Sequence, residues 1–237
     1  MMKTISFVSQ KGGTGKTTLS VQMAMIAHNL GYKVLLADLD PQKSSFEWSR
    51  TRKSDGPVAR SFKSGALFYA QSEAHKLGFD FMIVDTPAAT LDLSLDAARL
   101  SDLCVLVSRP TIMDFRAMKD LAGLIRALPI SSALVLNQAP PQRLGKEMSV
   151  VSENINLLFE LGIHLAPVAI RARQVYQTSF GNGLSAAEIQ NHSPAANETN
   201  RLWSYLESRL QLSLQSEGAK TRLERTELSA KGVSAAS

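Results

Sequence analysis

A glycine-rich loop, set between an apolar run and an amphipathic run, constrains the fold of this chain more than any other feature. Its sequence, FVSQKGGTGKTTLS, covers residues 7–20. A glycine turn that ends in Gly-Lys-Thr at the start of a helix directs several backbone N–H groups and the positive end of the helix dipole at one point. That arrangement binds a polyphosphate, and it needs a strand before the loop and a helix after it.

Short apolar runs alternate with longer amphipathic runs along most of the chain. The predicted strands are 4–9, 33–38, 80–85, 103–108, 133–137 and 166–170. The predicted helices are 16–29, 42–53, 65–77, 91–100, 114–127, 147–161 and 195–211. Continuous apolar strands are typical of a parallel sheet covered on both faces. We therefore predict an α/β fold with a doubly wound, mostly parallel sheet flanked by helices, and ligands at the carboxyl ends of its strands.

The size of the chain allows one sizeable core. It has 237 residues, of which 44% are hydrophobic, and we predict one nucleotide-binding domain over residues 1–211. The polar, charge-mixed stretch 212–237 is predicted to be a disordered or weakly helical tail. A membrane-binding helix is the alternative for this tail, but the stretch lacks an apolar stripe with bulky anchors.

Composition points to a reducing compartment and allows a polyanionic partner. The single cysteine, Cys104, cannot form an intramolecular disulfide and lies in an apolar strand pattern, so we interpret it as a core residue. No apolar run reaches the ~18 residues of a membrane span, and no signal peptide is evident. The net charge is +5 and the pI about 9.4, which suits binding to a polyanion. The expected location is the cytoplasm.

The loop supplies the groups that a nucleoside triphosphate and its metal require. Lys16 can reach the β- and γ-phosphates, and the Thr17 hydroxyl can ligate Mg²⁺. Thr18 can add a hydroxyl contact near the α-phosphate. The residues predicted to bind ATP in this loop are Lys11, Gly12, Gly13, Thr14, Gly15, Lys16, Thr17 and Thr18.

Acidic residues end two of the predicted strands. Asp85 ends DFMIVD and is placed to hold Mg²⁺ through water. Asp38 and Asp40, two residues apart in LLADLDPQ, share one face if the strand continues through residue 39. Either of them could contact the metal or orient a water molecule. Asp40 before Pro41 could instead be a helix N-cap.

Lys11 is the unusual residue of the loop. Gln10 stands where a standard P-loop has its first glycine, and Lys11 adds a second lysine. Within one subunit Lys16 already serves the terminal phosphates, so a second lysine there would be partly redundant. Lys11 could instead reach the phosphates of a facing subunit, as an arginine finger does. Such a lysine would tie dimer assembly to bound ATP.

These motifs together resemble the ParA/MinD family of ATPases. SQKGGTGKTTLS is similar to their deviant Walker A motif, VLLADLDPQKS to the switch motif of the ParA branch, and FDFMIVDTPA to the Walker B strand. SRPTIMDF (108–115) resembles the proline segment of small ParA proteins, except that Ile112 stands where a second proline is common. AIRARQVYQTSFGNGLSAAE (169–188) resembles their C-terminal block. The resemblance spans residues 3–210 and is to the short, ParF-like type.

The resemblance implies a role for each matching residue. Lys11, Lys16 and Asp40 would be catalytic, with Lys11 crossing a dimer interface and Asp40 positioning the attacking water. Thr17 and Asp85, with Asp38 as a further candidate, would serve Mg²⁺. Asn137 would recognise adenine. ATP and Mg²⁺ are the cofactors that this family uses.

The resemblance also implies partners. ATP would clamp a homodimer that binds DNA without sequence preference over the bacterial nucleoid, and a centromere-binding or cargo-adaptor protein would stimulate hydrolysis. Arg171 and Arg173 are the leading candidates for DNA contact, and the basic cluster within residues 50–63 is the second. The cargo could be plasmid or chromosomal DNA, or a protein cluster.

Two other classes fit the sequence less well. A MinD-like regulator of division would need a membrane anchor in the tail. The stretch 212–237 lacks the apolar stripe of such an anchor, so no stable membrane association is expected. An electron-transfer ATPase needs cysteines to ligate its cluster, and one cysteine cannot supply them.

Overall fold

Six parallel strands form the central sheet of the computed structural model, which describes residues 2–88, 91–142 and 144–211. The strands are β1 (Lys3–Val8), β2 (Val34–Asp38), β3 (Val58–Ser61), β4 (Phe81–Asp85), β5 (Leu103–Ser108) and β6 (Ser131–Leu136). Their order across the sheet is β3-β2-β4-β1-β5-β6, and every pairing is parallel. The loops after β1, β2 and β4 therefore meet at one edge, where the predicted site residues lie.

Helices cover both faces of this sheet. They are α1 (Lys16–Asn29), α2 (Ser44–Thr51), α3 (Leu67–Lys76), α4 (Leu91–Arg99), α5 (Ile112–Arg126), α6 (Ser149–Phe159), α7 (Gln174–Gly181), α8 (Ala186–Ile189) and α9 (194–211). The predicted α/β fold is confirmed. Within the described residues no helix is long and apolar enough to cross a bilayer.

The strands divide their side chains between two cores, as the period of two requires. In β5, Leu103, Val105 and Val107 face the core under α1, α2 and the C-terminal helices. Cys104 and Leu106 face the core under α3 to α6. Burial raises the pKa of the Cys104 thiol to about 12. Cys104 is therefore a protonated core side chain, in agreement with its interpretation from the sequence.

The predicted strand 166–170 is wrong, and its neighbourhood explains why. This segment runs beside the edge strand β6, where Ala166 N–H donates to Leu134 O at 2.7 Å and Ile170 N–H donates to Leu136 O at 2.9 Å. Pro167 lies between these two contacts and has no N–H to donate. The pairing is therefore intermittent, and only isolated bridges form.

Three elements were absent from the sequence prediction. The edge strand β3 has four residues with half-exposed or exposed side chains, so it carries no continuous apolar run. The helices α7 and α8 have eight and four residues, too short for a clear helical period. The prediction of a tail over residues 212–237 lies outside the described residues.

Candidate functional site

The loop between β1 and α1 has a backbone that only glycine adopts easily. Gly15 has φ of 92°, and a Cβ atom there would lie 2.2 Å from the Asn137 side-chain nitrogen. Gly13 has φ of 70° and is exposed. Both values lie in the left-handed region that β-carbons disfavour. The glycines thus let the loop turn tightly and expose its backbone.

Two side chains that follow β6 donate hydrogen bonds to backbone carbonyl groups of the loop between β1 and α1. Asn137 donates from Nδ2 to the Thr14 carbonyl at 2.7 Å, and Gln138 donates from Nε2 to the Gly13 carbonyl at 2.8 Å. Asn137 is buried, so its hydrogen bond is shielded from water. The structure thus places Asn137 against the loop, whereas its predicted contact with adenine stays a prediction. The bracing by Gln138 was not predicted, because nothing near it in sequence indicates this contact.

Two buried polar groups where the loop meets α1 make no hydrogen bond with their side-chain heads in the described residues. Lys16 is only 6% exposed. Burial lowers the pKa of its ammonium group, while the charges of Asp85 and Asp40 oppose that change. The Thr14 hydroxyl is buried with no hydrogen-bond partner in the described part of the chain. Unsatisfied polar groups are costly, and an anionic ligand in the loop would satisfy Lys16.

Asp38 and Asp85 lie side by side at the carboxyl ends of neighbouring strands. They are register partners between β2 and β4, and both are fully buried. Burial, and then the charge of Asp38, raises the pKa of Asp85 to about 7. The Thr17 hydroxyl donates to Asp85 Oδ1 at 3.2 Å, which opposes the rise. Two buried carboxylates so close together call for a cation.

The oxygen atoms here fit Mg²⁺. Asp85 Oδ2 is buried and has no hydrogen-bond partner among the residues described, and the Thr17 hydroxyl lies against the other oxygen of the same carboxylate. Mg²⁺ prefers oxygen ligands and keeps several waters. Thr17 and Asp85 would hold the ion, which when bound would neutralise charge on the phosphates.

Asp38 organises the loop that follows it. Its Oδ1 accepts the Asp40 N–H and its Oδ2 accepts the Phe46 N–H, both at 2.9 Å. The Asp40 carboxylate accepts the Gln42 N–H at 2.9 Å. The helix α2 is preceded by Lys43 as its N-cap residue, so the alternative of Asp40 as the N-cap is wrong. Asp40 is half-buried, and its charge acts on Lys16.

A cavity of about 810 Å³ extends from the loop along α7. Its lining includes Gly15, Thr18, Asn137, Tyr176 and Phe180. A cavity of this size holds a small molecule. Its position next to the phosphate-binding turn, with aromatic side chains along one wall, suits the base and sugar of a nucleotide.

Arg171 and Arg173 also line this cavity. Arg171 is 9% exposed and forms an ion pair with Glu147, as well as donating to the Pro140 carbonyl at 2.9 Å. Arg173 pairs with Glu198 at 2.5 Å. Both guanidinium groups are thus engaged within the protein. Their predicted contact with DNA stays a prediction, and in this conformation it would require these ion pairs to open.

The basic cluster of residues 50–63 is divided in the structure. Arg52 pairs with Glu188 at 2.7 Å and donates to the Gly183 carbonyl at 3.0 Å. Trp48 lies on α2, which ends one residue before Arg52, and donates to the Leu184 carbonyl at 3.2 Å. These contacts tie α2 and the residue after it to α8 and to the segment before α8, and they take Arg52 out of the cluster. The remaining cations are exposed: Arg50, Lys53, Arg60 and Lys63.

Lys11 lies on the loop beside these groups. Its backbone N–H donates to the Ser9 hydroxyl at 3.3 Å, and its side chain is half-exposed. Its ammonium group has no ion pair or hydrogen bond with any residue in 2–88, 91–142 and 144–211. The loop therefore carries one buried lysine, Lys16, and one that is free to reach outward.

A strand, a glycine loop, a buried lysine and a pair of strand-end carboxylates together define a P-loop nucleotide-binding domain. Comparison with known proteins makes this assignment specific. The model of the CobQ/CobB/MinD/ParA nucleotide-binding domain matches residues 5–179, and the chain belongs to this family of P-loop ATPases. The resemblance to ParA/MinD proteins is thus confirmed.

Individual relatives agree with the family. The maintenance of carboxysome distribution protein A of Halothiobacillus neapolitanus is 25% identical over 210 residues, covering 84% of this chain and 94% of the relative. The chromosome-partitioning ATPase Soj of Thermus thermophilus is 26% identical over 156 residues, covering 54% of this chain and 61% of the relative. The solved structure of apo McdA from Cyanothece has a TM-score of 0.73 and 15% identity, covering 89% of this chain and all of that one, which supports the fold.

Proposed function

We propose that this protein is an ATP-driven positioning motor that pairs around bound ATP, holds DNA without sequence preference, and releases it on hydrolysis. The observation that carries the proposal is the pair of lysines in the loop. Lys16 is buried where the terminal phosphates would lie, while the Lys11 ammonium group has no partner in the described chain. A free cation on a phosphate loop suits a phosphate that arrives from outside the subunit.

The chemistry of hydrolysis follows from the positions of the side chains. Lys16 would hold the β- and γ-phosphates in a site that excludes water, where its charge acts strongly. Asp40 would orient the attacking water, because its backbone is fixed by Asp38 and its charge acts on Lys16. Lys11 of a facing subunit would stabilise charge on the phosphates as the bond to the γ-phosphate breaks.

Dimerisation would couple the binding of nucleotide to the binding of DNA. Two subunits bring their basic surfaces together, and several phosphate contacts give salt-sensitive, sequence-independent affinity. Arg171 and Arg173 remain candidates for this contact if their ion pairs open. The exposed cations of residues 50–63 are the alternative, since the pair that Arg50 forms with Glu47 at 3.4 Å is solvent-exposed and weak. An adaptor protein would stimulate hydrolysis and so time the release.

The cargo is proposed to be plasmid or chromosomal DNA, carried over the nucleoid in the bacterial cytoplasm. The similarity to Soj, a chromosome-partitioning ATPase, supports this proposal. The similarity to a carboxysome distribution protein over most of both chains favours a second candidate, in which the same motor positions a protein assembly. Genes next to the one for this chain would separate the two, because cargo choice lies in the adaptor.

The test is a gel shift of arbitrary duplex DNA with Mg-ADP and with a slowly hydrolysed ATP analogue, at two salt concentrations. We expect binding only with the analogue, weaker at the higher salt. The Lys16→Ala variant is the control, and it should not bind in either state. Absence of binding by the wild-type protein in every state would refute the DNA proposal. Sedimentation with anionic vesicles would then test the MinD-like alternative.

A further inference from the structure

Arg109 lies beside the phosphate loop although it belongs to a different part of the chain. It directly follows β5, the strand next to β1 in the sheet. A Cβ atom built on Gly13 would lie 3.9 Å from Arg109 Nη1. Gly13 itself is exposed, so this guanidinium nitrogen lies at the open face of the loop. Lys11 is two residues from Gly13, a chain distance of at most about 7 Å.

A buried carboxylate fixes the direction of this arginine. Asp114 accepts from Arg109 Nε at 2.7 Å and from Nη2 at 3.0 Å, a two-point contact. It also accepts the Arg109 backbone N–H at 3.2 Å. The Asp114 side chain is only 3% exposed, and the contact with Arg109 holds its pKa below the ordinary value, although burial alone would raise it.

The two-point contact leaves one nitrogen available. Nη1 makes no hydrogen bond to the residues that the structure describes, and it is the nitrogen that faces Gly13. A guanidinium group can bind a carboxylate with one edge and a phosphate with its remaining donors. The rival explanation is structural, with Arg109 and Asp114 only joining the end of β5 to the start of α5. That role would not require Nη1 to face the loop.

We propose that Arg109 is a second phosphate-binding residue of the loop, and that Asp114 is its positioning residue. The proposal rests on the proposed binding of ATP at this loop. The ligand group is a phosphate of the nucleotide, either in the same subunit or in a facing one. A fixed arginine loses little conformational freedom on binding, so its contact with a phosphate is strong for a partly exposed group.

The test compares Arg109→Gln with Arg116→Gln, a matched control because Arg116 is an exposed arginine on α5. Binding of fluorescent ADP and ATP analogues is titrated, and self-association with the ATP analogue is measured by sedimentation. A same-subunit contact predicts about a 10-fold loss of affinity for both nucleotides in Arg109→Gln. A facing-subunit contact predicts normal ADP affinity with about a 10-fold loss of self-association. Unchanged affinity and self-association in Arg109→Gln would overturn the proposal.

The Asp114→Asn variant shows whether Asp114 orients Arg109 for phosphate binding or only joins the end of β5 to the start of α5. We expect Asp114→Asn to lower nucleotide affinity or self-association less than Arg109→Gln does. Adding Asp114→Asn to Arg109→Gln should cause little further loss, because the two residues act as one unit. A fall in melting temperature without a change in binding would instead establish the structural role and overturn the proposal. If the wild-type protein itself binds no nucleotide, the proposed function fails first, and that outcome is distinct from normal binding by Arg109→Gln.

Discussion

Replacing Asp85 by asparagine should stabilise the nucleotide-free protein while abolishing hydrolysis. Asp85 is fully buried next to Asp38, and its pKa is raised to about 7 from an ordinary 3.8. A carboxyl group that ionises more easily in the unfolded chain lowers stability as pH rises. The loss of folding stability begins above pH 3.8 and is complete above about pH 7. Asparagine has nearly the same shape and never ionises, so the variant avoids this loss.

The size of the effect follows from the pKa difference. Each unit corresponds to about 1.4 kcal/mol, so the shift from 3.8 to about 7 destabilises the folded wild-type protein by about 4 kcal/mol at pH 8. At pH 5 the carboxyl group is still protonated in the fold, and the penalty is less than half as large. The gain in the variant should therefore rise by about 3 kcal/mol between these pH values. At pH 8 it corresponds to roughly 10 °C in melting temperature.

Urea unfolding at pH 5 and pH 8, without nucleotide or Mg²⁺, measures this gain. Asp96→Asn is the control, because Asp96 is an exposed helix residue and should change stability little at either pH. Phosphate release with Mg-ATP should fall to background in Asp85→Asn. An equal or lower stability of Asp85→Asn at pH 8 would refute the reasoning about the buried pair.

The remaining predictions concern the loop and the residue after β2. Lys11→Ala should bind nucleotide within a few-fold of wild type but stay monomeric with the ATP analogue by light scattering; a stable dimer would show that Lys11 does not act across an interface. Asp40→Ala should keep ATP binding and lose at least about 10²-fold in turnover, leaving the protein on DNA in a filter assay, whereas wild-type turnover would move the role elsewhere. Gly15→Ala should weaken nucleotide binding at least about 10-fold, because its Cβ would meet Asn137 at 2.2 Å and its φ is 92°. The control Gly123→Ala, with open space at its Cβ, should bind normally.

The sequence predicted the structure best where a run of neighbouring residues has a single structural role. Continuous apolar runs predicted five of the six strands, because a strand buried on both faces must be apolar throughout. The short edge strand β3 carries Arg60 and exposed residues, so it has no such run. The segment 166–170 has the apolar run but not the pairing, because Pro167 interrupts its hydrogen bonds with β6.

In the candidate site too, the sequence predicts features that lie within one short segment and misses contacts between distant segments. The glycines and Lys16 act within one short loop, and their spacing alone indicates a phosphate. The contacts that shape the site join residues far apart in the chain, as when Asn137 and Gln138 hold the loop carbonyls. The pairing of Arg171 with Glu147 is similar. No local pattern encodes such contacts, and this is why an arginine predicted for a surface was found buried.

Sedimentation velocity of the wild-type protein tests most directly the claim that this loop controls self-association. The protein would be measured with Mg-ADP and with Mg²⁺ and the slowly hydrolysed ATP analogue, at the same concentration. We expect a monomer with ADP and a dimer with the analogue. A monomer in both states, or an equal dimer in both, would contradict it.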